Sequence, residues 1–189
     1  MSVGLVGLPL DDARIAELDR SIAAYVSGAG HAPFDLIGAG ELTCVIGWRG
    51  WAFKLLPPVH DRARVEAYGA LLDEYLQALR SAMVPVVETS FALTASERGV
   101  AGYIVQPRLP AEQLLSKVVQ HRSAEDAVQL FNRLLDHVDA CVARGIGIDP
   151  QLSNWMMIEG EPQLIDISTP MLRDADGRSV ADLPVTRIW

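Results

Sequence analysis

The sequence predicts an α+β protein: a five-stranded antiparallel sheet carrying one long helix, then a mainly helical stretch that includes a hairpin. Three observations lead there. Apolar residues recur at helical spacing over 11–27, 61–82 and 123–145. Between them lie short runs rich in branched and aromatic residues, separated by glycines. Prolines at 107 and 110 stiffen the backbone between these two regions, and a lobe boundary is expected there.

Each element has its own local cause. In "DDARIAELDRSIAAYVS" the residues Ile15, Leu18, Ile22 and Tyr25 or Val26 repeat behind Asp11 or Asp12 as N-cap, and Gly28 ends the helix. "FDLIG", "TCVIGW" and "WAFKLL" read as three successive strands. After Pro57 and Pro58, the segment 61–82 places Val65, Tyr68, Leu72, Tyr75 and Leu79 along one helical face. "VPVVETSFALT" and "AGYIVQ" supply two further strands around the polar turn "ASERG". Beyond a helix near 112–119, Ser123 and Asp126 cap a helix carrying Leu130, Leu134, Val138 and Cys141, which runs to Gly145. The expected organisation is an N-terminal helical extension (1–33), a first lobe (34–106) and a second lobe (107–189).

The bulk numbers bound the function. With 189 residues, half of them apolar, the chain can bury a core. A net charge of −8 without a Lys/Arg run argues against nucleic-acid or anionic-membrane partners, which need a positive field. Cys44 and Cys141 lie far apart in apolar surroundings, which suits a reducing cytoplasm better than a disulfide framework. No signal-peptide pattern or membrane-spanning run is read. His31, His60, His121 and His137 lack ligand spacing and are assigned to surface or packing.

Two hairpins concentrate the chemistry. In "GIGIDPQLSNWMMIEGEPQLIDIST" (145–169), symmetric pairing about Gly160 sets Asn154 opposite Asp166, six residues to either side, with Asp149 in the preceding loop. A carboxylate and an amide oxygen side by side suit magnesium, which takes few protein ligands and keeps phosphate oxygens. Taken singly, the same residues also suit an Asx-turn, a strand edge and a solvated acid. In "GAGELTCVIGWRGWAFKLL", a two-residue turn at Arg49-Gly50 pairs Trp48 with Trp51 and Val45 with Lys54, and alternation adds Ala52 to the face of Lys54. The tryptophans are expected to clamp the turn. Val45, Ala52 and the Lys54 ammonium make a surface for a planar ring bearing phosphates, which the "GAG" backbone can approach closely.

These motifs resemble the protein-kinase-like superfamily, nearer to its compact atypical and aminoglycoside-phosphotransferase-like members, over roughly residues 34–170. "GAGELTCV" is similar to the glycine-rich loop with Thr43 in the third glycine place, "WAFK" to V-A-I-K, "DPQLSN" to D-x-x-x-x-N, and "IDIS" to D-F-G. The resemblance implies a bilobal fold with ATP and Mg2+ as cofactors. It implies that Gly38 and Gly40 cover the phosphates, Lys54 grips them, Val45 and Ala52 lie over adenine, and Gln106 sits in the hinge. Glu74, 20 residues past Lys54, would orient it, with Glu66 as the competing acid. Asp149 would be base or orienter for an acceptor hydroxyl, and Asn154 and Asp166 would hold magnesium.

The chain also departs from that pattern. Gly147 and Ile148 stand where the family has His-Arg or His-Gly, "DIS" lacks Phe and Gly, and the 23 residues after Asp166 contain no A-P-E. Either a reduced second lobe or one that the chain completes only in part is therefore expected, without activation-loop regulation. The terminal Trp189 invites a protein partner or self-association through the tail. The expected function is an ATP- and magnesium-dependent phosphotransferase acting on the hydroxyl of a small molecule. The alternative is a pseudokinase-like module that binds nucleotide or protein without transfer.

Overall fold

The computed structural model describes residues 11–39, 43–96, 99–174 and 176–179. It is an α+β protein whose described residues divide into two compact units. Unit 1 comprises the residues through Ala67 together with Glu88–Arg108; unit 2 comprises Tyr68–Val87 and the residues from Leu109 on.

Unit 1 begins with α1 (Asp12–Val26), whose N-cap Asp11 accepts the Arg14 N–H at 2.9 Å. Gly28, at φ +74°, takes the left-handed conformation that ends it. Five strands follow: β1 (Asp35–Ala39), β2 (Cys44–Trp48), β3 (Trp51–Leu55), β4 (Ser90–Ser96) and β5 (Gly99–Pro107). They form one antiparallel sheet in the order β1-β2-β3-β5-β4. Arg49 and Gly50, both at positive φ, make the expected two-residue turn, and β2 pairs with β3 as Val45↔Lys54 and Trp48↔Trp51. Ile15, Leu18 and Ile22 of α1 pack on one sheet face with Ile46, Trp48, Phe53, Ala101, Tyr103 and Val105. Burying each such side chain is worth about 1.5–3 kcal/mol. Asp19, buried with them, accepts a 2.6 Å hydrogen bond from the Tyr103 hydroxyl.

One expected strand starts six residues later than its sequence suggested. "VPVVETSFALT" enters the sheet only at Ser90. Pro85 has no N–H, and the preceding backbone pairs elsewhere: the Leu164 N–H reaches the Pro85 carbonyl at 2.9 Å, and the Val87 N–H reaches the Leu164 carbonyl at 3.0 Å.

The helix α2 (Arg62–Ser81) ends on Met83 at φ +59°, with the Val84 N–H bonded back to the Leu79 carbonyl. From Tyr68 on it belongs to unit 2. There the chain continues through a single-turn helix α3 (Leu115–Val118), flanked by 3-10 turns, where a longer helix was expected. Next comes α4 (Ala124–Val142), whose N-cap Ser123 accepts the Asp126 N–H. Gly145, at φ +71°, turns the chain out of α4. Strands β6 (Trp155–Ile158) and β7 (Glu161–Leu164) close a hairpin, and buried Trp155 stacks on His137 of α4, centroids 5.9 Å apart.

Two buried tyrosines of α2, seven residues apart and so on one face, hold the loops of unit 2. The Tyr68 hydroxyl donates to the Ser168 carbonyl and that of Tyr75 to the Gly147 carbonyl, both at 2.8 Å. Burial pushes both phenols well above their ordinary value of 10.0; nearby acidic groups add to this, Asp166 at Tyr68, and Cys141, Asp149 and Asp166 at Tyr75. They therefore stay donors throughout the neutral range.

Tyr75→Phe is expected to lower stability by about 1–2 kcal/mol, read as a shifted urea midpoint with unchanged slope. The raised phenols also fix a pH dependence. Their contribution is complete below the ordinary value of 10.0 and is lost as pH rises through the higher folded values, because the unfolded chain releases those protons first. Urea melts across the alkaline range should show stability falling from about pH 10 upward, and less steeply in the Tyr68→Phe/Tyr75→Phe variant.

Candidate functional site

In unit 1 the strand registers assemble a polar-edged surface on the sheet face turned away from α1. Gly38 pairs with Val45, Val45 with Lys54, and Lys54 with Ile104, forming one row across four strands. The adjoining row is Gly47, Ala52 and Gln106. Alternation turns both rows away from Ile46, Phe53 and Val105, which pack with α1. Val45, Ala52 and Lys54 thus share a face, as the hairpin register required. A Cβ on Gly38 would stand an ordinary 3.5 Å from Val45 Cβ, so Gly38 is not forced by crowding. Gly40, the second glycine of the expected loop, lies outside the described residues.

Gln106 lies within β5, which runs on to Pro107, so the connector starts at Arg108, one residue past the expected Pro107. Its side-chain amide donates to Thr89 Oγ1 at 2.9 Å. Arg108 is a cation that sequence reading missed. Its guanidinium lies where a Cβ on Gly47 would come within 2.8 Å of Nη1, and it pairs with Asp35 at 2.6 Å across the same face. The available signal was Gly47 itself, since a glycine inside a strand often marks a close approach.

In unit 2 the candidate acids come together through backbone geometry. Gly147 must be glycine: its N–H bonds the Met171 carbonyl at 2.7 Å, and a Cβ there would lie 2.6 Å from Met171 Cβ. Two residues on, half-buried Asp149 accepts the Gln151 N–H on Oδ1 at 3.1 Å, an Asx-turn that aims the chain into the 3-10 turn Leu152–Asn154. Asp166 Oδ1 accepts the Ser168 N–H at 3.1 Å and its hydroxyl at 2.8 Å.

The hairpin register differs by one residue from the symmetric pairing about Gly160. Both Glu159 and Gly160 have positive φ, so they form a two-residue turn, and the ladder runs Ile158↔Glu161 to Trp155↔Leu164. Continuing it sets Asn154 across from Ile165, not Asp166. Asn154 and Asp166 still meet, because the Asn154 carbonyl accepts the Ile165 N–H at 2.8 Å and lies 3.4 Å from the Asp166 N. Asp149 stands two residues past Gly147, whose carbonyl accepts the Tyr75 hydroxyl; burial is the first cause of that phenol's raised value, with Cys141, Asp149 and Asp166 adding to it. The tyrosines were legible in sequence only as apolar-face residues; their seven-residue spacing was the signal that both hydroxyls could reach one side.

The two acids competing to orient Lys54 are both exposed on α2. Glu66 is held by Arg62 at 2.8 Å, and Glu74 stands beside buried Tyr75. Among the described residues no group of three His, Cys, Asp or Glu side chains could hold a metal ion. Asn154 and Asp166 carry an amide and a carboxylate oxygen, the kinds of group a hard cation takes, and they meet through backbone, the Asn154 carbonyl facing the N–H groups of 165–166. No described helix is long and apolar enough to cross a membrane.

Comparison with curated proteins gives no match. A family model matches residues 50–187, a span that takes in Lys54, Glu74, Gln106, Asp149, Asn154 and Asp166 and leaves out Gly38 and Val45. With nearly three quarters of its length matched, the chain belongs to the family of unknown function DUF6206.

Proposed function

We propose that the chain is an ATP- and magnesium-dependent phosphotransferase of protein-kinase-like type, acting on a hydroxyl group of a small molecule. The observation that carries the reading is the backbone contact that brings Asn154 to Asp166 in unit 2, with Asp149, Asn154 and Asp166 in the order and spacing of the D-x-x-x-x-N and D-F-G elements. The Asn154 carbonyl receives the backbone of 165–166, and one phenol, that of Tyr75, senses both acids. The cross-strand pair Val45–Lys54, with Ala52 on the same face, supports the nucleotide half. The small-molecule acceptor rests on the lack of a recognisable protein-substrate segment in the sequence.

In this reading Lys54 neutralises phosphate charge on the nucleotide, and Val45 and Ala52 pack against its base. Asn154 and Asp166 would hold Mg2+, which supplies charge neutralisation at the phosphate oxygens. Asp149 orients the acceptor hydroxyl and takes its proton as the new O–P bond forms at the γ-phosphorus and the bond to the β–γ bridging oxygen breaks, releasing ADP. Such transfer asks the protein mainly for positioning, which the Tyr68 and Tyr75 hydrogen bonds supply to the segments next to Asp166 and Asp149.

A second reading, nucleotide binding without transfer, is favoured by one observation. Asp149 Oδ1 is already engaged by the Gln151 N–H, as in a purely structural turn.

Thermal melts and product assays separate these readings. ATP with Mg2+ at about a hundred times its Kd should stabilise the parent protein by about 2.7 kcal/mol, and Lys54→Ala and Asp166→Ala should each abolish the gain. No shift in the parent protein would contradict both readings. Against a panel of hydroxylated metabolites, Asp149→Asn should keep the thermal shift while ADP release falls about 100-fold or more. ADP release unchanged in Asp149→Asn would remove Asp149 from the chemistry.

A further inference from the structure

Arg108 leaves the sheet beside the β2–β3 turn, its N–H bonded to the Gly50 carbonyl at 3.0 Å, and its side chain reaches back over β2. The guanidinium covers Gly47 face-on. A Cβ built on Gly47 would stand 2.8 Å from Nη1, 3.0 Å from Cζ and 3.2 Å from Nε. An edge-on group would hold Cζ behind both nitrogens, so the guanidinium plane lies along the sheet surface and its second face points outward. That second face is open: the Arg108 side chain is 41% exposed, while Gly47 beneath it is buried. Asp35, the partner of Gly47 on β1, holds one end of the group through the 2.6 Å contact between Nη1 and Oδ2.

Stability does not account for this arrangement. An exposed ion pair contributes little, and a glycine inside a strand weakens it. What the flat cation faces is the better guide.

We infer that Arg108 reads the base of the nucleotide: laid flat on Gly47, its guanidinium extends the Val45 and Ala52 surface so that a purine is preferred to a pyrimidine. The inference rests on the nucleotide reading above and adds to it the residue that sets base selectivity. Gly47 pairs with Ala52 across the strands and stands two residues from Val45, about 7 Å along β2. A purine lying on Val45 and Ala52 carries its second ring on to the guanidinium, whereas a pyrimidine in the same place covers only one ring's width. Guanidinium faces attract aromatic rings through their charge and their flatness, and lysine has no such plane. The Asp35 carboxylate also leaves little net charge at this end of the face, which suits a base better than a phosphate.

Isothermal titration with ATP, CTP and inorganic tripolyphosphate, each with Mg2+, tests the assignment. The parent protein is expected to bind ATP more tightly than CTP. Arg108→Ala and Arg108→Lys should each weaken ATP about 5- to 10-fold, leave CTP and tripolyphosphate within about twofold, and keep the urea midpoint of the parent. Gly47→Ala keeps the charge but displaces the guanidinium, and should weaken ATP by a similar factor. Equal losses for ATP, CTP and tripolyphosphate would make Arg108 a phosphate contact and overturn the inference. An ATP affinity unmoved by Arg108→Ala would overturn it too. A parent protein that binds none of the three would instead remove the nucleotide reading itself, and this inference with it.

Discussion

The register of β2 against β3 decides which side of the sheet Lys54 stands on. The turn at Arg49 and Gly50, both in the left-handed region, locks Val45 to Lys54 and Trp48 to Trp51. Slipping the pairing by one residue would exchange the two faces. Lys54 would then enter the space of Phe53, which is fully buried against α1. Placing an ammonium there without a partner is far costlier than losing a few strand contacts, so the register is strongly specified. The turn is itself reinforced: the Arg49 guanidinium lies 4.4 Å from the Trp48 ring centroid and pairs with Glu17 of α1 at 2.9 Å. One interaction set therefore fixes both the apolar core of unit 1 and the polar face opposite it.

Unit 2 uses backbone carbonyls to the same end. Loops that carry functional side chains need external anchors, because few of their own backbone groups pair with each other. Here the anchors are the two α2 phenols. Each grips a carbonyl two residues from a candidate acid, Gly147 before Asp149 and Ser168 after Asp166. Because burial keeps both phenols protonated, these hydrogen bonds do not titrate in the neutral range. The Gly147–Met171 approach and the hydrogen bonds from Ser168 to Asp166 complete a rigid frame around groups whose proposed role is positional.

Much of the fold was legible because its signals are local. The caps at Asp11 and Ser123, the left-handed glycines 28 and 145, and the Arg49-Gly50 turn each specify geometry within a few residues. Where sequence reading erred, the deciding interaction was remote or geometrically subtle. The segment 84–89 has strand composition, yet Pro85 and Val87 bond Leu164 some eighty residues away. The second hairpin was misaligned by one residue because Glu159, a poor candidate for positive φ, shares the turn with Gly160. The candidate site was legible in its strand-borne members, Val45, Ala52 and Lys54, whose face follows from alternation alone. Arg108 and the tyrosine hydroxyls were not, because the traces they leave, a glycine inside a strand and a seven-residue spacing, do not name the group that the side chain reaches.

In the proposed function, Asn154 and Asp166 hold a divalent cation that comes in with nucleotide phosphates. Manganese, substituting for magnesium, reports this through paramagnetic broadening of assigned backbone amide signals. With ATP present, the account predicts that the amides of Asn154, Ile165 and Asp166 broaden first, and that the effect is much weaker without nucleotide. Broadening confined to other acidic surfaces, or independent of ATP, would contradict it.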